Sequence, residues 1–223
     1  METRDESHGA SVVPEETTYA IGDLHGEADL LRQLLAIIAP RPQDTLVFLG
    51  DYLDRGPDAQ GVCETLLARS LTHHCVFLRG NHDEDWLDVW NGERFTHPAV
   101  APGARRVWEQ YHGAVPPVIG RLLAKTQLTY EDGYAWYSHA GAQPGVPFWQ
   151  SSPEVYVWGM QGFITSPYDW GKPVVFGHYE LEEPLITRTK IGLDTGAYRT
   201  GVLTAMRIQD RQIFQARRAP AQG

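Results

Sequence analysis

The chain has 223 residues, 42% of them hydrophobic and 21% charged, which is enough apolar material for one globular domain with a sizeable core. A formal charge of −9 and a pI near 5.4 disfavour nucleic acid as a partner, and no basic run offsets that field. No segment approaches the roughly 18 apolar residues of a membrane span and the N-terminus lacks the apolar stretch of a secretory signal, so a cytoplasmic location without membrane contact is expected.

Residues 1–16 are polar and patternless and read as a disordered leader. The stretch "TTYAIG" that follows has strand composition, and "EADLLRQLLAIIA" then places Leu30, Leu31, Leu34, Leu35, Ile37 and Ile38 at helical spacing. The same strand, loop and helix recur as "TLVFLG" with "DAQGVCETLLARSL", and as "HHCVFLRG" with "DEDWLDVW". Three such units in a row predict an α/β layer architecture whose sheet is at least partly parallel. Residues 91–125 are expected to form a helical insert that caps the domain, with helices in "PGARRVWEQYHG" and "PPVIGRLLAKT". Beyond it, "QLTYEDGYAWYSHAG" predicts a hairpin, and "KPVVFGH", "KIGLDTG", "GVLTAMRI" and "RQIFQARR" predict strands. A single domain over residues 17–223 with a second sheet follows. Cys63 and Cys75 form no CxxC pair and are expected as packed free thiols.

The ends of the predicted strands share one chemistry. They read "GDLHG" (22–26), "GDYLDRG" (50–56), "RGNHD" (79–83), "SHAG" (138–141) and "FGH" (176–178). Taken singly, "GDLHG" and "GNHD" are explained by turn or capping preferences and a lone His139 or His178 by a hydrogen bond, whereas the two Asp and the Arg of "GDYLDRG" are costly to desolvate without a function. Taken together they place Asp23, His25, Asp51, Asn81, His139 and His178 beyond the carboxyl ends of strands, where ligands of α/β proteins gather. Carboxylates, an amide oxygen and imidazoles without thiolates suit Mn²⁺, Fe²⁺ or Zn²⁺. Six donors exceed what one ion with open positions needs, so two ions sharing a carboxylate are expected.

In this order the motifs resemble those of the phosphoprotein phosphatase branch of the calcineurin-like metallophosphoesterases, and "IGLDTGAYRTGVLTAMRI" is similar to the C-terminal segment of its bacterial members. The resemblance covers about residues 18–208 and implies an αββα sandwich, two mixed sheets face to face with helices outside and a dinuclear metal centre at their edges. It implies that Asp23 and His25 bind the first metal, that Asp51 bridges, and that Asn81, His139 and His178 bind the second. His82 would be the general acid, Asp54 its orienting partner, and Arg55 and Arg79 substrate-binding arginines. Two divalent ions, Mn²⁺ first and Fe²⁺ or Zn²⁺ as alternatives, would provide a bridging hydroxide to attack phosphorus in line.

One departure stands out. The family's second phosphate-binding arginine has no counterpart between His139 and His178, where "VYVWGMQGF" places Met160. Either phosphate binding is weaker, or Arg188 or Arg199 reaches in from the C-terminal strands. The resemblance therefore implies a serine/threonine phosphatase acting on phosphoproteins or phosphopeptides. Diadenosine tetraphosphate hydrolysis is the alternative, with Trp86, Trp90, Trp149 or Trp158 available to stack on adenine. A non-catalytic metal-stabilised binding module is a third reading, disfavoured by the complete ligand set and the His82/Asp54 pair.

Overall fold

Side-chain alternation along the strands decides the layers. The computed structural model describes residues 16–219, so the predicted leader lies outside the described residues except for Glu16. In β1 (Thr18–Ile21), Tyr19 and Ile21 face one side and Ala20 the other. Helix α1 (Ala28–Ile38) buries Leu30, Leu31, Leu34, Leu35 and Ile38 against the Tyr19 and Ile21 face. Ile37, expected on the same stripe, is 51% exposed because it falls on the far side of the 3.6-residue turn. The helix stops where Ala39 turns left-handed, φ 46°, just before Pro40. β2 (Thr45–Phe48) repeats the alternation, with Leu46 and Phe48 toward the helices and Val47 away from them. Helix α2 (Ala59–Ser70) starts at Asp58, whose carboxylate accepts the Gly61 N–H at 2.8 Å. β3 (His74–Phe77) completes a parallel run with β1 and β2.

Helix α3 spans Asn81–Asp88, so "NHD" is not a loop after β3 but the first turn of a helix. In the predicted helical insert, residues 91–103 are not helical. Helices α4 (Ala104–Gln110) and α5 (Pro117–Leu123) form after them. Pro116 and Pro117 are tolerated because the first helical N–H groups need no intrahelical acceptor. The insert does not stand off as a cap: Val107, Ile119, Leu122 and Leu123 join the same apolar cluster as α1 and α2.

The second half opens with the predicted hairpin, β4 (Thr129–Glu131) and β5 (Trp136–Ser138), paired antiparallel. Helix α6 (Pro153–Trp158) precedes β6 (Val174–Phe176), which runs parallel to β5. β7 (Leu185–Ile186), β8 (Lys190–Gly192), α7 (Ala197–Thr200), β9 (Val202–Arg207) and β10 (Gln212–Arg217) complete the chain. The sequence pattern did not reveal α6, α7 or β7, which are too short to carry a period. The two sheets have orders β10-β9-β1-β2-β3 and β4-β5-β6-β8-β7. Both mix parallel and antiparallel pairs, and the chain crosses back to the first sheet through β9.

The sandwich core lies between the sheets, where Ala20, Val47 and Val76 of the first meet Tyr137, Val175 and Ile191 of the second. Phe148, Tyr156, Phe163 and Phe176 cover the outer face of the second sheet. This is the αββα arrangement. No helix among the described residues is long and apolar enough to cross a membrane. Cys63 and Cys75 are free thiols, Cys63 buried among the α1 and α2 side chains.

Packing of α5 on α3 makes one residue critical. A Cβ on Gly120 would run into the Trp90 indole, a rigid ring already tilted against Phe95. Gly120→Val is expected to lower unfolding free energy by about 1–3 kcal/mol, read by urea denaturation. Wild-type stability in that variant would show that the two surfaces are not in tight contact.

Candidate metal centre

The loops at the strand ends are stitched to one another before any ligand is considered. After β1, the N–H groups of Leu24 and His25 both donate to Asp51 O, at 3.2 and 2.8 Å, and Gly56 N–H returns to His25 O at 2.8 Å. Across the sandwich, His178 N–H donates to Asp23 Oδ2 at 3.0 Å and His139 Nδ1–H to Leu49 O at 2.8 Å. Asp83 accepts from Gly80 N–H (2.8 Å), Asp51 N–H (2.9 Å) and Tyr52 N–H (3.2 Å), so the start of α3 is clamped to the loop after β2. Reaching back to the N-cap residue is half of a capping box; reaching on to Asp51 ties two motifs together. His25, Asp51, Asp54, Arg55 and His178 all have positive φ, between 41° and 68°. Such backbone is costly for non-glycine residues and concentrates at functional sites.

All six predicted ligands meet here. Asp51 sits at the middle: its Oδ2 is 3.4 Å from His25 Nε2 and its Oδ1 3.6 Å from His139 Nε2. Asn81 Oδ1 lies 3.1 Å from His139 Nε2 and 2.9 Å from His178 Nδ1. Donor atoms of Asp23, Asp51 and His139 fall within 4.8 Å of one another, as do those of His25, Asp51 and His82. Asp51 is common to both groups, the geometry of a shared carboxylate. The first group pairs Asp23 with His139 rather than with His25, the partner that the resemblance implied.

Three observations test the fit to cations. His139 and His25 donate Nδ1–H to carbonyls, Leu49 O and Leu53 O, so each neutral ring turns a bare Nε2 lone pair toward the Asp51 oxygens. Burial keeps the rings neutral: it draws His25 down to about 4 and lowers His139, while burial and then His139 draw His178 to about 4. Lone pairs facing oxygens are mutually repulsive until a cation lies between them. Asp23 Oδ1 is buried with no protein partner, and burial, then the charges of Asp194 and Asp51, push its carboxyl well above the ordinary range. Finally, a Cβ on Gly177 would strike Asp23 Oδ1 and one on Gly80 would strike Asp51 Oδ1, so these glycines leave room that the carboxylates need. The donor set of oxygens and imidazole nitrogens fits divalent metals.

A calcineurin-like phosphoesterase profile matches residues 17–183. The chain belongs to this family. Members are metallophosphoesterases, hydrolases that use divalent metals. Among relatives, the chain is 28% identical to the asymmetrical bis(5'-nucleosyl)-tetraphosphatase PrpE of Anoxybacillus flavithermus, over 86% of this chain and 90% of that protein. It is equally 28% identical to serine/threonine-protein phosphatase 1 of Salmonella typhimurium, over 86% of this chain and 91% of that one. A crystal structure provisionally described as a diadenosine tetraphosphatase superposes with a TM-score of 0.71 at 20% identity, covering 92% of this chain and 95% of the other. That likeness shows the calcineurin-like fold.

Beside this cluster of donors, His82 Nδ1 lies 2.7 Å from Asp54 Oδ2, and Trp86 Nε1–H donates to Asp54 Oδ1 at 2.9 Å. Trp86 is therefore not available to stack on a base: it is fully buried and holds the carboxylate that holds His82. Its position, four residues after His82, was legible once Asn81 is known to begin a helix. Burial lowers the His82 pKa, but the Asp54 hydrogen bond and the charges of Asp51 and Asp54 outweigh it and the net shift is upward.

Arg55 reaches His82 Nε2 with Nη2 at 3.2 Å and, with Nη1, reaches Glu180 Oε1 at 3.0 Å and Tyr198 OH at 2.7 Å. Arg106 and Gln110 of α4 donate to Arg55 O and Pro57 O, so the insert braces this loop. Arg79 is placed differently: its guanidinium is held by Thr126 Oγ1 and Thr126 O, at 3.1 and 3.3 Å. Arg188 pairs with Asp169, and Arg199 with Glu180. Met160 packs with the Phe163 and Tyr179 cluster. With Trp158 and Tyr179 it lines a cavity of about 420 Å³. Trp158 is half exposed and donates to Glu84 Oε2 at 2.8 Å, Trp149 lies exposed against Trp136, and Trp90 packs on Phe95. Sequence reasoning passed over Asp83, Glu180, Asp194 and Tyr198, since single acidic and aromatic residues in loops carry no pattern.

Asp51→Asn keeps an oxygen but removes the shared charge. It is expected to lose most bound metal, measured by elemental analysis after dialysis, and to lose activity, the outcome also expected of the wild type on chelation. Full turnover with unchanged metal content would exclude a bridging role. Trp86→Phe, which strips Asp54 of a donor, is expected to cost about 1–3 kcal/mol of stability in urea unfolding and to slow esters with poor leaving groups.

Proposed function

We propose that the protein is a phosphomonoesterase that removes phosphate from phosphoserine and phosphothreonine in proteins with the help of two divalent cations. The chain Trp86, Asp54, His82 carries this reading. Serine and threonine depart as alkoxides, which need a proton in the transition state, whereas a nucleotide or polyphosphate departs as a weak base. A buried, doubly anchored proton donor therefore serves alkyl esters most.

Asp23, His25, Asp51, Asn81, His139 and His178 would hold the cations. When bound, the cations supply Lewis acidity to phosphoryl oxygens and a nucleophile from water at neutral pH, Mn²⁺ suiting this donor set first and Fe²⁺ or Zn²⁺ after it. Arg55 turns from His82 Nε2 to the phosphoryl oxygens and neutralises charge there. Once Arg55 has turned away, His82 takes up a proton from water at Nε2, which the neighbouring Asp51 and Asp54 charges favour, and, steered by Asp54, gives it to the leaving oxygen. Asp83 keeps Asp51 and the α3 N-terminus in register during the reaction. Arg79 is a weaker candidate for substrate contact, because Thr126 occupies its guanidinium.

The name of the Salmonella relative supports this reading. A second reading, dinucleoside tetraphosphate hydrolysis, is supported by the name of the Anoxybacillus relative and by the half-exposed Trp158 indole at the Met160 cavity, a surface on which a base can stack. Turnover of phosphoserine and phosphothreonine peptides against diadenosine tetraphosphate in excess Mn²⁺ decides between them: higher kcat/KM on the peptides is expected, and the reverse order would install the second reading.

His82→Ala is expected to keep near wild-type metal content while kcat on alkyl phosphates falls by about 10²–10⁴. On p-nitrophenyl phosphate, whose leaving group needs no proton, the loss should be much smaller. Equal losses on both esters would remove His82 from the role of acid.

A further inference from the structure

The chain has no arginine between His139 and His178, and Met160 is packed in an aromatic cluster, so any guanidinium that joins Arg55 at an anion comes from another segment. Arg188 is not it: the side chain is 76% exposed and pairs with Asp169 at 2.5 Å. Arg199 is better placed. Its Nε and Nη2 donate to Glu180 Oε2 at 3.1 and 3.0 Å, while Arg55 Nη1 and Tyr198 OH donate to Glu180 Oε1 at 3.0 and 2.7 Å. Two guanidinium groups and a phenol, from chain segments far apart in sequence, thus converge on one carboxylate. Those donors are the kind that phosphate takes.

The cluster touches the reaction centre on two sides. Arg55 Nη2 is on His82 Nε2, and the Tyr198 ring stands edge-on to His25, 5.4 Å between centroids. Glu180 follows the ligand candidate His178 by two residues, and its loop is fixed where Leu181 N–H donates to Asp194 O at 2.9 Å. The backbone is therefore held independently of the carboxylate, whose own contacts are all to side chains, Arg55, Tyr198 and Arg199. The Glu180 side chain is 28% exposed and its partners Arg55 and Arg199 are 27% and 57% exposed. The pair with Arg199, whose side chain is more than half exposed, adds little to folding.

We propose that Glu180 fills a seat for a phosphoryl dianion, that substrate phosphate displaces it, and that Arg199 is the second arginine of that seat. The inference rests on the phosphoester hydrolysis proposed above and names the groups that select its anion. Before substrate arrives, the carboxylate keeps Arg55 and Arg199 gathered without closing the site to a stronger anion. A dianion then meets both guanidinium groups already oriented.

Inorganic phosphate is the probe, titrated by calorimetry into the full-length, metal-loaded protein with equal free Mn²⁺ in cell and syringe. Glu180→Gln, which cannot compete as an anion, is expected to bind phosphate about ten-fold more tightly, and Glu180→Ala to follow it. Arg199→Ala should bind about ten-fold more weakly, with Arg199→Lys between it and the wild type. Arg188→Ala should match the wild type. Weaker or unchanged binding in both Glu180 variants, with melting temperatures intact, or unchanged binding in Arg199→Ala, overturns the proposal. If phosphate follows the expected pattern yet no phosphoester is hydrolysed, the seat stands and the proposed function fails. Hydrolysis of phosphopeptides with phosphate affinity indifferent to both residues has the opposite meaning.

Discussion

The Asp51 carboxylate lies buried and ionised between loops of both sheets, and keeping a charge there is the requirement that the surrounding structure meets. Burial alone would push its carboxyl up. In acid, where they carry charge, His139, His25, His82 and His178 together draw it down to about 2, and His82 N–H at the start of α3 donates to Oδ1 at 3.1 Å. That N–H is one of those that a helix leaves unpaired at its N-terminus, where the helix field also favours negative charge. Asp51 can be shared between two groups of donors because loops from both sheets deliver histidines to its two oxygens.

This requirement explains why the sandwich has two mixed sheets rather than one parallel sheet. His25 and Asp51 follow strands of the first sheet, and His139 and His178 follow adjacent parallel strands of the second. Only a face-to-face arrangement brings these ends to one edge. The contact is direct: His139 bonds Leu49 O, and His178 N–H bonds Asp23. The interior between the sheets is apolar and includes small residues such as Ala20 and Ala135, which let the two backbones approach.

Helix α3 gathers several tasks because its faces are distinct. Asn81 turns its amide oxygen toward His139 and His178, His82 faces Asp54 and Arg55, and Asp83 caps its own helix while holding Asp51. One turn on, Trp86 closes over Asp54 from the core. A residue that looks like core by composition thus holds the carboxylate that orients His82. The segment from 91 to 125 acts similarly at a distance, packing against α3 on one side and bonding the Arg55 loop on the other.

The sequence by itself determined the layers and which Asp, Asn and His residues converge at the strand ends. Period-two and period-3.6 patterns located most strands and the longer helices, because burial on one face imposes those periods on any chain that folds this way. The Asp, Asn and His residues at strand ends were legible because desolvating such groups next to apolar strands is costly without a partner. Tertiary structure decided what has no local period: that "NHD" starts a helix, that Trp86 serves Asp54, that Asp83 spans two motifs, and that Arg199 rather than Arg188 meets Arg55 at Glu180. These are contacts between residues up to 125 positions apart, such as Arg55 and Glu180. Their geometry exists only after the two sheets close on each other, and spacing along the chain therefore carries no trace of it.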